Sequence, residues 1–258
     1  ETAAEQLTKI YDRVRILYAQ RDAIYQELEK EFRIKGVFRL KYEEMTASEQ
    51  EYVENYFSNS ILPMLSPMLV DPQHPFPHLS NKGVEICVRL RKKKGEEYFA
   101  FLPVPVDLPQ ILYLLGPGVR YIGMEDLLLE LADVVFDTYT VEEKIQICIT
   151  RNADIHAEDE DCEKNEDFRV MQKLLKDRRR LAPLRLEMTD HPSSKMLKFL
   201  QSRLLLSDSQ IFYTGGPLQM KYAYRLENKL NPEQKKEMLF EPYTPKTPGE
   251  LAGKESMF

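Results

Sequence analysis

Between Ile61 and Lys82 the chain reads ILPMLSPMLVDPQHPFPHLSNK, and no other stretch restricts the fold as strongly. Five of the sixteen prolines fall here: Pro63, Pro67, Pro72, Pro75 and Pro77. Each fixes its own φ, lacks an amide donor and turns the preceding residue away from helix. A helix through the stretch is excluded, and a central strand is disfavoured. Yet Ile61, Leu62, Met64, Leu65, Met68, Leu69, Val70, Phe76 and Leu79 are apolar. A rigid, apolar, non-repetitive segment reads as a fixed loop buried against its neighbours. It also divides the chain, with helical periodicity before it and alternating strands from Val84 onward.

The helical part opens on Thr2 and Glu5, which have capping-box spacing. Leu7, Ile10, Val14, Leu17, Ile24 and Leu28 follow in three-four alternation, broken once by Arg21. The pattern predicts a helix to about Phe32 with Gly36 closing it, roughly 40 Å long. Such a stripe must pack on something, either upstream sequence or a second subunit. Val37 to Leu40 reads as a short extended link. Thr46 and Glu49 repeat the cap spacing and start a second helix, Ala47 to about Asn59, with Tyr52, Val53, Tyr56 and Phe57 on one side.

After the prolines, Val84, Ile86, Val88 and Leu90 alternate with Glu85, Cys87, Arg89 and Arg91, the pattern of a half-buried strand. A charged turn containing Gly95 leads into a returning strand, Tyr98 to Val104. Leu108 to Leu115 reads as a short helix or turn, Arg120 to Gly123 as a brief strand, and Glu125 to Phe136 as a helix. Strands are expected at Ile145 to Thr150, continuing through Arg151 to Ile155, at Leu184 to Met188, and at Gln210 to Tyr213. Helices are expected from about Lys164 to Arg180 and after Ser193 or Ser194. From Asn231 the periodicity fades into a proline-spaced linker. The expectation is an α+β fold: a long N-terminal helix, a second helix, then a mostly antiparallel sheet with packed helices.

Composition narrows the class. The 258 residues carry 36 Lys and Arg against 42 Asp and Glu, a net charge of −6, which argues against general nucleic-acid binding. Cys87, Cys148 and Cys162 show no CxxC spacing, so neither a disulfide framework nor a zinc site follows, and a cytoplasmic, at most membrane-peripheral, setting is expected. No apolar run approaches the ~18 residues of a membrane span. The chain starts at Glu1 and reads as an excised piece.

Several segments in order resemble the head domain of bacterial-type polyphosphate kinase. LPMLSPMLVDPQHPFPHLSNK resembles the opening of its core. ICITRNADI (Ile147 to Ile155), DRRRLAPLRLEM (Asp177 to Met188) and GGPLQM (Gly215 to Met220) are similar to later family segments, and the first helix to the close of its N-terminal domain. The resemblance implies a PX-like head domain over 37–230, the end of a helical N-terminal domain over 1–36, and a linker over 231–258 toward absent catalytic domains. It implies a parent enzyme that moves the terminal phosphate of ATP reversibly onto polyphosphate, with magnesium, through a phosphohistidine in a KxHxK motif. None of His74, His78, His156 and His191 has a lysine two positions before it. The resemblance also places the nucleotide-contacting Asn upstream of Glu1. No catalytic, cofactor or metal residue is therefore expected in this chain. Scaffolding, subunit association as a homo-oligomer and contact with the catalytic domains are the expected roles.

Four residues remain as anion-contact candidates: Lys92, Lys93 and Lys94 at the charged turn, and Arg151 at a strand end. Arg pairs bidentately with oxyanions, but an internal ion pair with Asp154 or another acid also explains Arg151 and is the favoured reading. With Arg89 and Arg91 the lysines form a basic tip that could gather polyphosphate, or simply a solvated turn. Arg178 to Arg180 make a second basic cluster, best read as a helix end. Asp71, His74 and His78 have near-ligand spacing, but Pro75 and Pro77 forbid the helix that would align them. The acidic run Glu158 to Asp161 lacks the glycine of a calcium loop.

Overall fold

The computed structural model describes residues 2–93, 95–151, 183–241 and 243. The fold is α+β, built on two sheets.

Helix α1 (Ala3–Ile34) starts where the cap spacing predicts. Thr2 Oγ1 accepts from Glu5 N at 3.3 Å, and Thr2 N donates to Glu5 Oε2 at 2.8 Å. It ends at Lys35, followed by Gly36 at φ +76°, a left-handed position that favours glycine. Its apolar stripe does not face the rest of the chain: Ile10, Leu17, Ile24 and Leu28 are each 44–57% exposed. The face that docks instead carries Tyr11, Tyr18 and Tyr25, seven residues apart, so the same side returns every two turns.

The smaller sheet runs β1-β6-β5, with β1 (Val37–Arg39) parallel to β6 (Val119–Gly123) and β5 (Ile111–Leu114) antiparallel to it. The extended link is thus a strand, and so is the stretch expected as a short helix or turn. ILYL is a continuous apolar run whose periodicity cannot separate the two. Helix α2 (Ala47–Tyr56) has both capping-box bonds from Thr46 and Glu49, and a wider turn carries it to Ile61.

The larger sheet runs β2-β4-β3-β7-β8-β9, antiparallel except for the last pair. Its strands are β2 (Met68–Val70), β3 (Val84–Arg91), β4 (Glu97–Pro103), β7 (Thr140–Arg151), β8 (Pro183–Met188) and β9 (Ile211–Tyr213). The proline-rich stretch gives one turn of 3-10 helix and then β2 at the sheet edge, where Pro67 and Pro72 flank it and no second ladder is needed. Strand β3 is buried on both faces, not half-buried: Ile86, Cys87, Val88 and Leu90 are fully covered.

Two cores explain that burial. On one face α2, the small sheet, α3 (Met124–Glu130) and α4 (Ala132–Val135) cover Ile86, Val88, Leu90 and Leu102. On the other, Leu79 of the proline-rich stretch and α5 (Ser194–Leu204), capped by Ser193, cover Cys87, Phe101, Ile147 and Leu186. A third core joins Val37 and Tyr121 to Tyr222 and Leu226 of α6 (Ala223–Leu226). The expected linker begins with a helix, α7 (Pro232–Met238), which Asn231 and Gln234 cap and whose Met238 packs against that third core. No helix among the described residues is long and apolar enough to cross a membrane.

Candidate functional site

Three segments singled out in the sequence converge at one end of the large sheet. Arg151, the last residue of β7, donates its backbone N–H to Asn81 Oδ1 at 2.9 Å and its Nε to Leu79 O at 3.0 Å. Lys82, held at φ +58°, donates its N–H to Ile149 O at 2.7 Å. Gln219 of the GGPLQM segment donates Nε2 to Lys82 O at 3.0 Å. Arg151 thus fastens the proline-rich loop to the sheet. Asp154, its suggested partner, lies outside the described residues, as do the Lys164 to Arg180 helix, Arg178 to Arg180 and the acidic run.

Nearby, Glu85 is 4% exposed and its Oε2 has no hydrogen-bond partner. Burial raises its pKa to about 7, opposed by a backbone hydrogen bond from Ser80.

The basic tip lies at the other end. Arg91 pairs with Thr140, so Arg151 sits eleven residues further along β7, roughly 35 Å away at strand rise. One short anion cannot touch both candidates. Lys92 and Lys93 are exposed, and Lys92 Nζ lies 6.0 Å from the Tyr98 ring centre. Lys94 lies outside the described residues. The arginines beside them are engaged: Arg89 Nε meets Glu143 at 3.1 Å, and Arg91 Nε meets Glu142 at 2.7 Å.

A cavity of about 460 Å³ opens where α1 meets β1, α3 and the turn at Thr214. Glu29, Glu43, Glu44, Asp126, Glu130 and Asp190 line it, against Arg33, Arg39, Lys41 and Lys144. Three of those cations are already paired: Arg33 with Glu44 at 2.9 Å, Arg39 with Asp126 at 2.6 Å and Lys144 with Asp133 at 2.7 Å. A polyanion would meet an acidic wall there.

Arg39 is the hub of that wall and was not singled out in the sequence. Its Nη1 donates to Tyr25 OH at 2.9 Å, its Nη2 to Asp126, and its guanidinium lies 5.1 Å from the Tyr222 ring centre. Gln146 of β7 donates to the other Asp126 oxygen at 2.9 Å. The seven-residue spacing of the α1 tyrosines was the one signal pointing to this face.

His74 Nδ1 and Asp71 Oδ1 are 3.0 Å apart within one tight turn. Among the described residues no group of three or more His, Cys, Asp or Glu side chains could hold a metal ion. Cys87 and Cys148 are free and buried, and burial raises both thiols, Cys148 to about 12. Neither is poised as a thiolate nucleophile.

The two sheets, the helices packed on them and the loops that converge on Arg151 define an α+β domain. The profile of the polyphosphate kinase middle domain matches residues 48–226, and the chain belongs to the polyphosphate kinase family. It is 28% identical over 266 residues to the polyphosphate kinase of Bacillus cereus, covering 100% of this chain and 38% of that protein. It is 30% identical over 233 residues to that of Streptomyces coelicolor, covering 90% and 31%. The crystal structure of polyphosphate kinase from Porphyromonas gingivalis superposes with a TM-score of 0.71 at 20% identity, over 98% of this chain and 37% of that one. The chain thus spans about a third of the length of these relatives.

Proposed function

We propose that this chain is a non-catalytic scaffold of a polyphosphate kinase whose whole form transfers the terminal phosphate of ATP to polyphosphate. The carrying observation is how its arginines are used. Arg39, Arg89, Arg91, Arg120 and Arg151 all hold structure, through carboxylates or a loop carbonyl. The phosphohistidine, ATP and magnesium belong, in this reading, to other domains. No chemical step is assigned to this chain in that reading. The exposed apolar residues of α1 support association with other sequence of the same protein or with a second subunit. The test is purified chain with ATP, magnesium and long-chain polyphosphate, followed by ADP release. No release above the blank is expected, and turnover overturns the reading.

A second reading, a polyanion-binding module, is favoured by exposed Lys92 and Lys93 at a hairpin tip. It predicts polyphosphate binding that weakens steeply with salt.

A further inference from the structure

Among the described residues of α1, only Tyr11 is buried to less than a tenth of its full exposure. The contacts along its docked face are mostly polar. Tyr11 OH donates to Leu184 O at 2.6 Å, and Arg15 donates to Ser209 O at 2.6 Å. Tyr18 OH donates to Glu187, and Asp22 accepts from Gly215 N at 2.7 Å. Tyr25 closes the series by accepting from Arg39. Tyr11 and Tyr18 add ring contacts with Phe212 at 5.8 and 5.4 Å.

The last turn is held differently. Phe32 packs on the third core, and Gln234 Nε2 donates to Lys35 O at 2.7 Å. Val119 N donates to Gly36 O at 2.8 Å, and a Cβ on Gly118 would lie 2.4 Å from that same oxygen. One end of the helix is therefore clamped by close packing. The rest is held mainly by individual hydrogen bonds, several to charged groups, whose partners water can replace when the helix lifts. Polar contacts of this kind are usual between parts of a chain that move relative to each other.

We propose that α1 is a lever arm, anchored at its C-terminal turn and held along its length by a releasable polar latch centred on Arg39. Arg39 is the natural centre, because one guanidinium joins α1 through Tyr25 to α3 through Asp126 and to Tyr222. Thirty-odd residues at ~1.5 Å each make an arm of about 50 Å, so a rotation of about 10° at Gly36 moves its tip about 9 Å. Whatever packs on the apolar face of α1 travels with it. The inference does not depend on the scaffold reading, because it concerns motion, not turnover.

Spin labels at Arg13→Cys and Lys198→Cys, both exposed positions, report the arm-to-head distance in the 258-residue chain carrying Cys162→Ser. Pulsed electron spin resonance should give one narrow distribution. Arg39→Met with Tyr25→Phe should broaden or lengthen it by about 5 Å or more. An unchanged distribution overturns the proposal. Hydrogen exchange across β3 and β7 reports whether the double variant folds. Should it not, Tyr25→Phe alone, which deletes one hydroxyl, is read by the same criterion.

Discussion

Arg120 grips the carboxylate of Glu49 with two near-parallel hydrogen bonds, 2.7 Å from Nε to Oε1 and 3.0 Å from Nη2 to Oε2. The pair ties β6 of the small sheet to the first turn of α2. Glu49 also closes the capping box on Thr46, so one side chain serves both helix start and tertiary contact.

Breaking that pair should cost about 2–4 kcal/mol, because Glu49 is buried and would lose the charge of Arg120. Arg120→Met should shift the urea midpoint accordingly. Hydrogen bonds from Arg120, against the opposing cost of burial, lower the Glu49 pKa to about 2. A lowered folded pKa gives stability that is full above the ordinary carboxylate range and lost as pH falls toward 2. Glu49→Gln should therefore flatten the stability curve between about pH 4.5 and 2. An undiminished slope would show that other carboxylates set acid stability.

Glu85 has the opposite sign. Its pKa is raised to about 7 by burial, so its contribution is full below the ordinary carboxylate value and lost as pH rises through about 7. Glu85→Gln keeps the shape and removes the charge. The variant should be more stable than the unsubstituted chain at about pH 8, by about 1–3 kcal/mol, and nearly equal to it at about pH 4. Chemical denaturation at both values checks this, and a variant weaker at the higher pH refutes it.

Lys92→Ala, Lys93→Ala and Lys94→Ala together should leave the melting temperature nearly unchanged, because Lys92 and Lys93 are solvent-exposed. If the hairpin tip gathers polyphosphate, the triple variant should reduce the slope of log Kd against log salt by roughly 2. Titration at several salt concentrations measures both. An equal slope in the variant removes the tip from any binding site.

Much of this architecture was legible because local chemistry declares itself. Thr2–Glu5 and Thr46–Glu49 announced two helix starts, alternation announced β3 and β7, and the charged turn announced β4 as the returning strand. Strand β1 stayed hidden because three residues, Val37 to Arg39, carry no period. Helix α7 stayed hidden because PEQKKEM has no apolar stripe, although Asn231 and Gln234 have cap spacing. The burial of both faces of β3 could not be read from Glu85 and Arg89, whose polarity suggested solvent. The Arg39 hub was invisible for a different reason. Its partners Tyr25, Asp126 and Tyr222 lie 14, 87 and 183 positions away, and only the fold assembles them.

The scaffold reading stands or falls on where phosphate goes. Incubating the 258-residue chain with γ-labelled ATP, magnesium and polyphosphate, then resolving protein from polymer, tests it most directly. The account predicts label in neither. Acid-labile label on His74, His78, His156 or His191, or label in lengthened polyphosphate, would contradict it.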